Sequence, residues 1–343
     1  GSQGLLNDLH FYDIRLGKWS GELQRLVYDE FAQVVDDLGE RPTPRKLCGA
    51  AVVENRLYVI GGKEKYRVKN DVYYYDTRQA KFSGRLVTLG DQPPAHASAS
   101  VQSINKLIYV FGGFDSQGSA RNELSIFNTT DMRWSMISPS SLNLWPSARA
   151  FSPFTQISSS KIFLVGGATA DLTTEKKNNV LFLADAYILD TERLLWSRSI
   201  DFPQPIAMHY LHATNLFNEP SLYIFGGIQQ NSFMLHYSIQ LTTSRARWID
   251  VSRQAVTQKT SKPCIGSLVL SYDSARLLLQ FGGSIDTTTT SSNQLIILSR
   301  TRYQKEPNFL LDRTSAVLSS STLEEETLAT NLLFYRHLAT SLS

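Results

Sequence analysis

Five times along this chain of 343 residues an apolar run stops at a pair of glycines. The runs are LYVIGG at 57–62, IYVFGG at 108–113, IFLVGG at 162–167, LYIFGG at 222–227 and LLQFGG at 278–283. Their first glycines stand at 61, 112, 166, 226 and 282, so successive intervals are 51, 54, 60 and 56 residues. A fixed period of this length is the signature of a repeat architecture, in which one supersecondary unit is copied and stacked. Each run is rich in β-branched and aromatic residues, as a buried strand requires. The glycines mark where that strand ends against a sharp turn or a second backbone.

A second apolar segment follows each pair after a polar loop: DVYYYD (71–76), ELSIFN (123–128), DAYILD (185–190), LHYSIQ (235–240) and QLIILS (294–299). About a dozen residues beyond the start of such a segment stands an aromatic, Phe82, Trp134, Trp196 or Trp248, where an outer strand should begin. Ahead of the glycines lie small and apolar stretches such as CGAAVV (48–53), SASVQS (98–103) and LHATNL (211–216). Each repeat therefore holds about four strands, and no helical period is needed to account for it. The N-terminal NDLHFYDIRLGKW (7–19) matches NDVYYYDTRQAKF (70–82), so the chain opens at the third strand of a further unit. Four-stranded sheets repeated at this spacing describe propeller blades.

A double glycine followed by an aromatic strand and then a Trp resembles the kelch-repeat family, and the resemblance runs over nearly all of residues 5–300. It implies an all-β fold: a six-bladed kelch β-propeller of four-stranded antiparallel blades, with a short inserted helix and a C-terminal helix. The departures are Phe82 in place of Trp and a weak last blade, where Tyr303 or Phe309 has to serve. The expected organisation is a propeller over 1–320, made of a half-blade at 5–26, a helix at 27–40 and five double-glycine blades at 45–300. A helical tail follows at 321–343. Leu26, Val27, Phe31, Val34, Val35 and Leu38 give the inserted helix its apolar stripe, and Gly39 offers its stop. The half-blade has to be closed by residues 308–320 or by sequence upstream of Gly1, because an open blade edge invites aggregation.

Composition removes several classes. With 34 Lys and Arg against 31 Asp and Glu the net charge is +3, far from a disordered chain and short of the concentrated basic surface that nucleic acid needs. No apolar run approaches the ~20 residues of a membrane span, so no membrane insertion is expected. Two cysteines, Cys48 and Cys264, exclude a disulfide scaffold and fit a reducing, cytoplasmic compartment. Both sit among apolar neighbours and read as buried, inert thiols.

No catalytic set emerges, so an enzyme is not expected, and neither is a cofactor or metal. Six histidines are present, at 10, 96, 209, 212, 236 and 337. The one close pair, His209 and His212, would point to opposite faces of a strand. A Gly-x-Ser-x-Gly elbow is absent, and every double glycine closes a strand and so forms no phosphate loop.

Binding is better supported. The positions leading into the inner strands are Arg45, His96, Arg149, His209 and Lys262, a basic or basic-capable group in five successive repeats. The loop KEKYRVK at 63–69 adds Lys63, Lys65, Tyr66, Arg67 and Lys69 and has a local charge of +3, whereas residues 21–44 hold six acids and two basic groups. The expectation is a protein-interaction module or scaffold. Its basic ring around the channel mouth would receive an acidic peptide of a protein partner, with Tyr66, Phe114 or Trp145 as anchors, inside a larger assembly. The family resemblance implies two further readings: the substrate-recognition propeller of a ubiquitin-ligase adaptor, and a kelch-fold enzyme such as a metal-dependent oxidase, epimerase or specifier protein.

Overall fold

A computed structural model describes residues 39–139, 143–170 and 180–207 without a break, and outside them chiefly short strands from Tyr12 to Leu318. The contacts divide the chain into two compact bodies, Gly1–Ser199 and Ile200–Ser343. Among the described residues every regular element is a strand, and no helix is long and apolar enough to cross a membrane.

The first body opens with β1 (Tyr12–Asp13) and β2 (Lys18–Trp19). The first repeat follows as β3 (Gly49–Val53), β4 (Arg56–Lys63), β5 (Val68–Asp76) and β6 (Lys81–Phe82). The second repeat comprises β7 (Leu89–Gly90), β8 (Ser100–Ile104), β9 (Leu107–Phe111), β10 (Leu124–Asn128) and β11 (Arg133–Ile137). The third comprises β12 (Phe154–Ser158), β13 (Lys161–Val165), the side hairpin β14 (Ala168–Ala170) and β15 (Val180–Phe182), then β16 (Ala186–Asp190) and β17 (Leu195–Arg198). In each repeat four strands pair antiparallel in sequence order, and in the second β7 adds a parallel fifth strand beside β11.

The second body repeats the plan. Its first sheet is β18 (Tyr210–Thr214), β19 (Ser221–Phe225), β22 (His236–Gln240) and β23 (Arg247–Asp250), with the hairpin β20 (Ile228–Gln229) and β21 (Ser232–Phe233) set between its two middle strands. Its second is β24 (Leu268–Tyr272), β25 (Leu277–Phe281), β26 (Leu295–Ser299) and β27 (Val317–Leu318). The described outer strand of this last sheet is Val317–Leu318, which pairs with Ile296 and Leu295; Tyr303 and Phe309 lie outside the described residues. The N-terminal match holds in register: Tyr12 pairs with Trp19 and Asp13 with Lys18, as Tyr75 pairs with Phe82 and Asp76 with Lys81.

Period-two alternation builds the core of the first body between consecutive sheets. On β9, Ile108 and Val110 face the first repeat and join Ala51, Val53, Tyr58, Ile60, Val72, Phe127 and Trp134. Tyr109 and Phe111 face the other way and join Phe154, Ile162, Leu164, Leu189 and Trp196 of the third repeat. Phe82 fills the position of a Trp by packing on Tyr75 at 5.1 Å, as Trp134 packs on Phe127 at 4.8 Å. Inner strands of neighbouring repeats adjoin, β3 with β8 and β8 with β12. Gly39 adopts a left-handed φ of +72°, as a helix stop would, but Gly39 and Glu40 are not helical. The rest of the inserted helix (27–38) and the tail helix (321–343) lie outside the described residues.

Candidate functional site

The double glycines are the joints between repeats. Gly61, Gly112 and Gly166 have φ of +60°, +66° and +60°, and the glycines after them have +99°, +98° and +102°. This left-handed geometry is open to Gly at little cost. It lets the following repeat approach until backbones bond directly: Gly62 N–H donates to His96 O at 2.9 Å and Gly113 N–H to Arg149 O at 2.8 Å. In return His96 N–H donates to Lys69 O and Arg149 N–H to Arg121 O, both at 2.9 Å. Two residues further on, Leu47, Ser98 and Phe151 all take positive φ, and their backbones link the repeats in series. Ser98 N–H donates to Leu47 O at 2.8 Å and Phe151 N–H to Ser98 O at 3.0 Å.

Arg45 and Arg149 stand at these joints with their side chains turned inward. Arg149 is 0% exposed. Its guanidinium donates to both Asp185 oxygens at 2.7 Å, to Gly166 O at 3.1 Å, and to Ser147 O and Oγ at 3.0 and 2.9 Å. Arg45 repeats the pattern with Asp71 at 2.5 and 3.2 Å, Gly61 O at 3.0 Å, and Thr43 O and Oγ1 at 3.0 and 2.9 Å. Each lies over an aromatic ring, Tyr73 or Tyr187, at 5.4 and 5.3 Å. Burial, the largest influence, would raise the Asp185 carboxyl; Arg149, with the Tyr187 hydroxyl and Arg198, together outweigh it and hold the group below the usual carboxylate range.

The basic ring is thus divided. Arg45 and Arg149 fasten the second and third strands of their own repeats, and no donor is left for a ligand. A signal for this lies in the sequence: each Arg is accompanied downstream by Asp-x-Tyr, at 71–73 and 185–187, whereas His96 is accompanied by Glu123-Leu124-Ser125. His96 is buried, and Glu123 is held by Arg121 at 3.2 and 2.6 Å. His209 and Lys262 lie outside the described residues.

The loop 63–69 behaves differently. β4 and β5 continue past the glycines, with Gly62 opposite Lys69 and Lys63 opposite Val68, so the loop is the tip of a hairpin closed by Glu64 N–H to Arg67 O at 2.9 Å. Lys46 joins as a third extended segment, bonded both ways to Lys63 at 3.0 and 2.7 Å. Glu64 is used inside, pairing with Lys69 Nζ at 3.0 Å and accepting from Thr43. Those two groups, Thr43 first, hold its carboxyl below the usual range. What faces outward is Lys46, Lys63, Lys65 and Arg67, all exposed. Among the described residues no carboxylate forms an ion pair with any of the four. Tyr66 is 82% exposed, with Lys65 Nζ 5.0 Å from its ring centre.

The other proposed anchors are occupied. Phe114 packs on Phe151 at 5.8 Å, and Trp145 lies 6.2 Å from Trp196 while its Nε1 donates to Asn122 O at 2.7 Å. Cys48 is exposed and not buried, because β3 alternates and the parity of Ala50 and Val52 faces outward, Val52 being 60% exposed. Cys264 lies outside the described residues. Among the described residues no group of three or more His, Cys, Asp or Glu is placed to hold a metal ion.

Four-stranded sheets joined through double glycines define a repeat protein of the blade-forming kind. Residues 1–167 match the family model described as the KLHDC2/KLHL20/DRC7 Kelch-repeats domain, which bears out the kelch resemblance over that part of the chain. It is 26% identical over 328 residues to acyl-CoA-binding domain-containing protein 4 of Arabidopsis thaliana, covering 93% of this chain and 43% of that protein. It is 28% identical to Kelch domain-containing protein 1 of Mus musculus over 68% of this chain and 58% of that one. With the N-(sulfonatooxy)prop-2-enimidothioate sulfolyase of Thlaspi arvense it shares 25% identity over 43% of this chain and 42% of the enzyme. The chain thus spans less than half the length of the first of these relatives.

Proposed function

We propose that this chain is a non-catalytic protein-interaction module that binds an acidic segment of a partner protein on the hairpin at 63–69. Relatives that include an enzyme do not decide the matter by name, so the reading rests on the residues. The observation that carries it is the hairpin tip, laddered to Lys46, where among the described residues Lys46, Lys63, Lys65 and Arg67 pair with no carboxylate and surround an exposed tyrosine. The ladder to Lys46 and the Glu64–Lys69 pair order the tip in advance, which lowers the entropy lost on binding. Arg67 suits bidentate carboxylate contacts, and Tyr66 supplies a rigid aromatic surface of the type enriched at binding hot spots.

The test is fluorescence anisotropy with a labelled Asp/Glu-rich peptide. Reversing Lys63, Lys65 and Arg67 to Glu together should weaken binding by about tenfold or more, since like charges then face each other across the contact. Binding that is unchanged in the triple variant refutes the assignment of the hairpin.

A further inference from the structure

The basic hairpin is gripped at its base by a residue that titrates. His96 ties both legs at once, accepting from Gly62 N–H at one and donating to Lys69 O at the other, each at 2.9 Å. Its ring is enclosed, the residue being 4% exposed. Nδ1 lies 3.0 Å from the Pro94 carbonyl, which only accepts, so that nitrogen carries the proton. Nε2 is left as a bare lone pair, buried and, among the described residues, without a hydrogen-bond partner. It lies against Gly61, where a Cβ would be 3.1 Å from it.

The corresponding residues of the first and third repeats are arginines, whose permanent charge is met by Asp71 and Asp185. Among the described residues His96 has no such acid. Glu123, in the matching position, is engaged by Arg121, which also lies 3.7 Å from Asp115. The other charged groups on the strands packed against His96 are Arg45 with Asp71, Lys69 with Glu64 and Arg56 with Asp76, each already paired, and Lys63, a further cation that offers no counter-charge. A proton on Nε2 would therefore make a buried cation with no counter-charge, an arrangement that proteins relieve by opening.

We propose that His96 is a pH-sensitive clamp: neutral, it fixes the base of the hairpin, and its protonation releases Gly62 and Lys69, so that partner binding weakens on acidification. The binding half of this rests on the function proposed above; the clamp itself does not. Burial pushes the His96 imidazole below the ordinary histidine range, and the Pro94 carbonyl only partly opposes this. The unfolded chain thus takes up the proton more readily than the folded one. The joint is at full strength above about pH 6.5, the ordinary imidazole value, and weakens as pH falls below it.

Amide hydrogen exchange on the full chain at pH 7.5 and 5.5, corrected for the intrinsic chemical rate, tests the clamp. Protection across the hairpin should fall by up to about tenfold in the wild type, the most that one imidazole of ordinary value ~6.5 allows over this range, and stay level in His96→Gln. The affinity for an Asp/Glu-rich peptide should fall in parallel in the wild type alone, since the peptide's carboxylates, with pKa near ~4, stay charged at both pH values. Level protection in the wild type, or an equal fall in His96→Gln, overturns the clamp. Should His96→Gln not fold, NMR titration of the wild-type ring decides: an imidazole titrating at or above the ordinary value, with hairpin amides unmoved, overturns it. Protection that falls while no peptide binds at either pH removes the binding function and leaves the clamp; binding with pH-independent protection does the reverse.

Discussion

Arg149 is a charge kept wholly out of water, and its retention depends on every donor finding an acceptor. Asp185, Gly166 and Ser147 supply them, and Tyr187 donates its hydroxyl to Asp185 at 3.0 Å while its ring lies beneath the guanidinium. Replacing Arg149 by Ala leaves the Asp185 charge with only the Tyr187 hydroxyl and the half-exposed Arg198, 3.8 Å away, and should lower unfolding free energy by about 3 kcal/mol, read from urea denaturation at pH 7. The pH dependence has a fixed sign. Because the folded-state carboxyl of Asp185 is held low, the pair contributes fully above about pH 4, the ordinary carboxylate value, and is lost as acid protonates it. The wild type should therefore lose stability faster than Arg149→Ala below pH 4, and parallel curves would show that the pair is not what Arg149 contributes. Composition alone points Arg to the surface. Only the acid 36 positions downstream turns it inward, so the buried role was legible as a covariation between repeats and not from the local sequence.

At the level of the element, the glycine period announced where each second strand ends and which segments pair with it. The cause of the glycines lies in the next repeat. A Cβ on Gly112 would collide with Arg149 O and also approach Arg121 O at 2.9 Å, both backbone atoms that cannot swing aside. Gly118, with φ of +83°, has nothing within 4 Å of the same position. Gly118→Ala should thus cost only the ~1–2 kcal/mol of a left-handed alanine. Gly112→Ala should cost that and several kcal/mol more through lost docking of the third repeat. Comparable denaturation midpoints for the two would refute the joint. The hairpins between third and fourth strands carry a second device. Asp76, Asn128 and Asp190 accept from the backbone N–H two residues on, while Thr77, Thr129 and Thr191 donate Oγ1 to Asn55, Lys106 and Ser160 carbonyls. The triplet Asn128-Thr129-Thr130, which has the Asn-x-Thr form of an N-glycosylation acceptor, is one copy of this turn. What the strand pattern leaves unspecified is the outer strand of the last sheet, because Val317–Leu318 returns after a long connection that no short-range period encodes.

For the molecule as a whole, the near-neutral total hides a concentrated source. Residues 63–69 carry four basic groups and one acid, and the remaining 336 residues carry 30 of each sign. The excess charge of the chain is therefore that of the hairpin, where Lys63, Lys65 and Arg67 point to solvent while Glu64 is spent on Lys69. A field of this kind acts mainly on encounter: it steers an acidic partner over roughly a Debye length, ~10 Å at 0.1 M salt, and fades as salt rises. In the proposed complex, short-range contacts through the exposed Tyr66 and Leu47 would act after encounter and resist screening. Stopped-flow or surface-based kinetics with the acidic peptide separate the two. Raising salt from 50 to 500 mM should cut the association rate by about tenfold or more and move the dissociation rate by no more than about threefold. Tyr66→Ala should show the opposite partition, a faster dissociation with little change in association. Salt that acted chiefly on dissociation would mean that the cations are buried in the contact and not steering from its rim, and would shift the centre of the surface from Tyr66 toward Lys46 and Lys63.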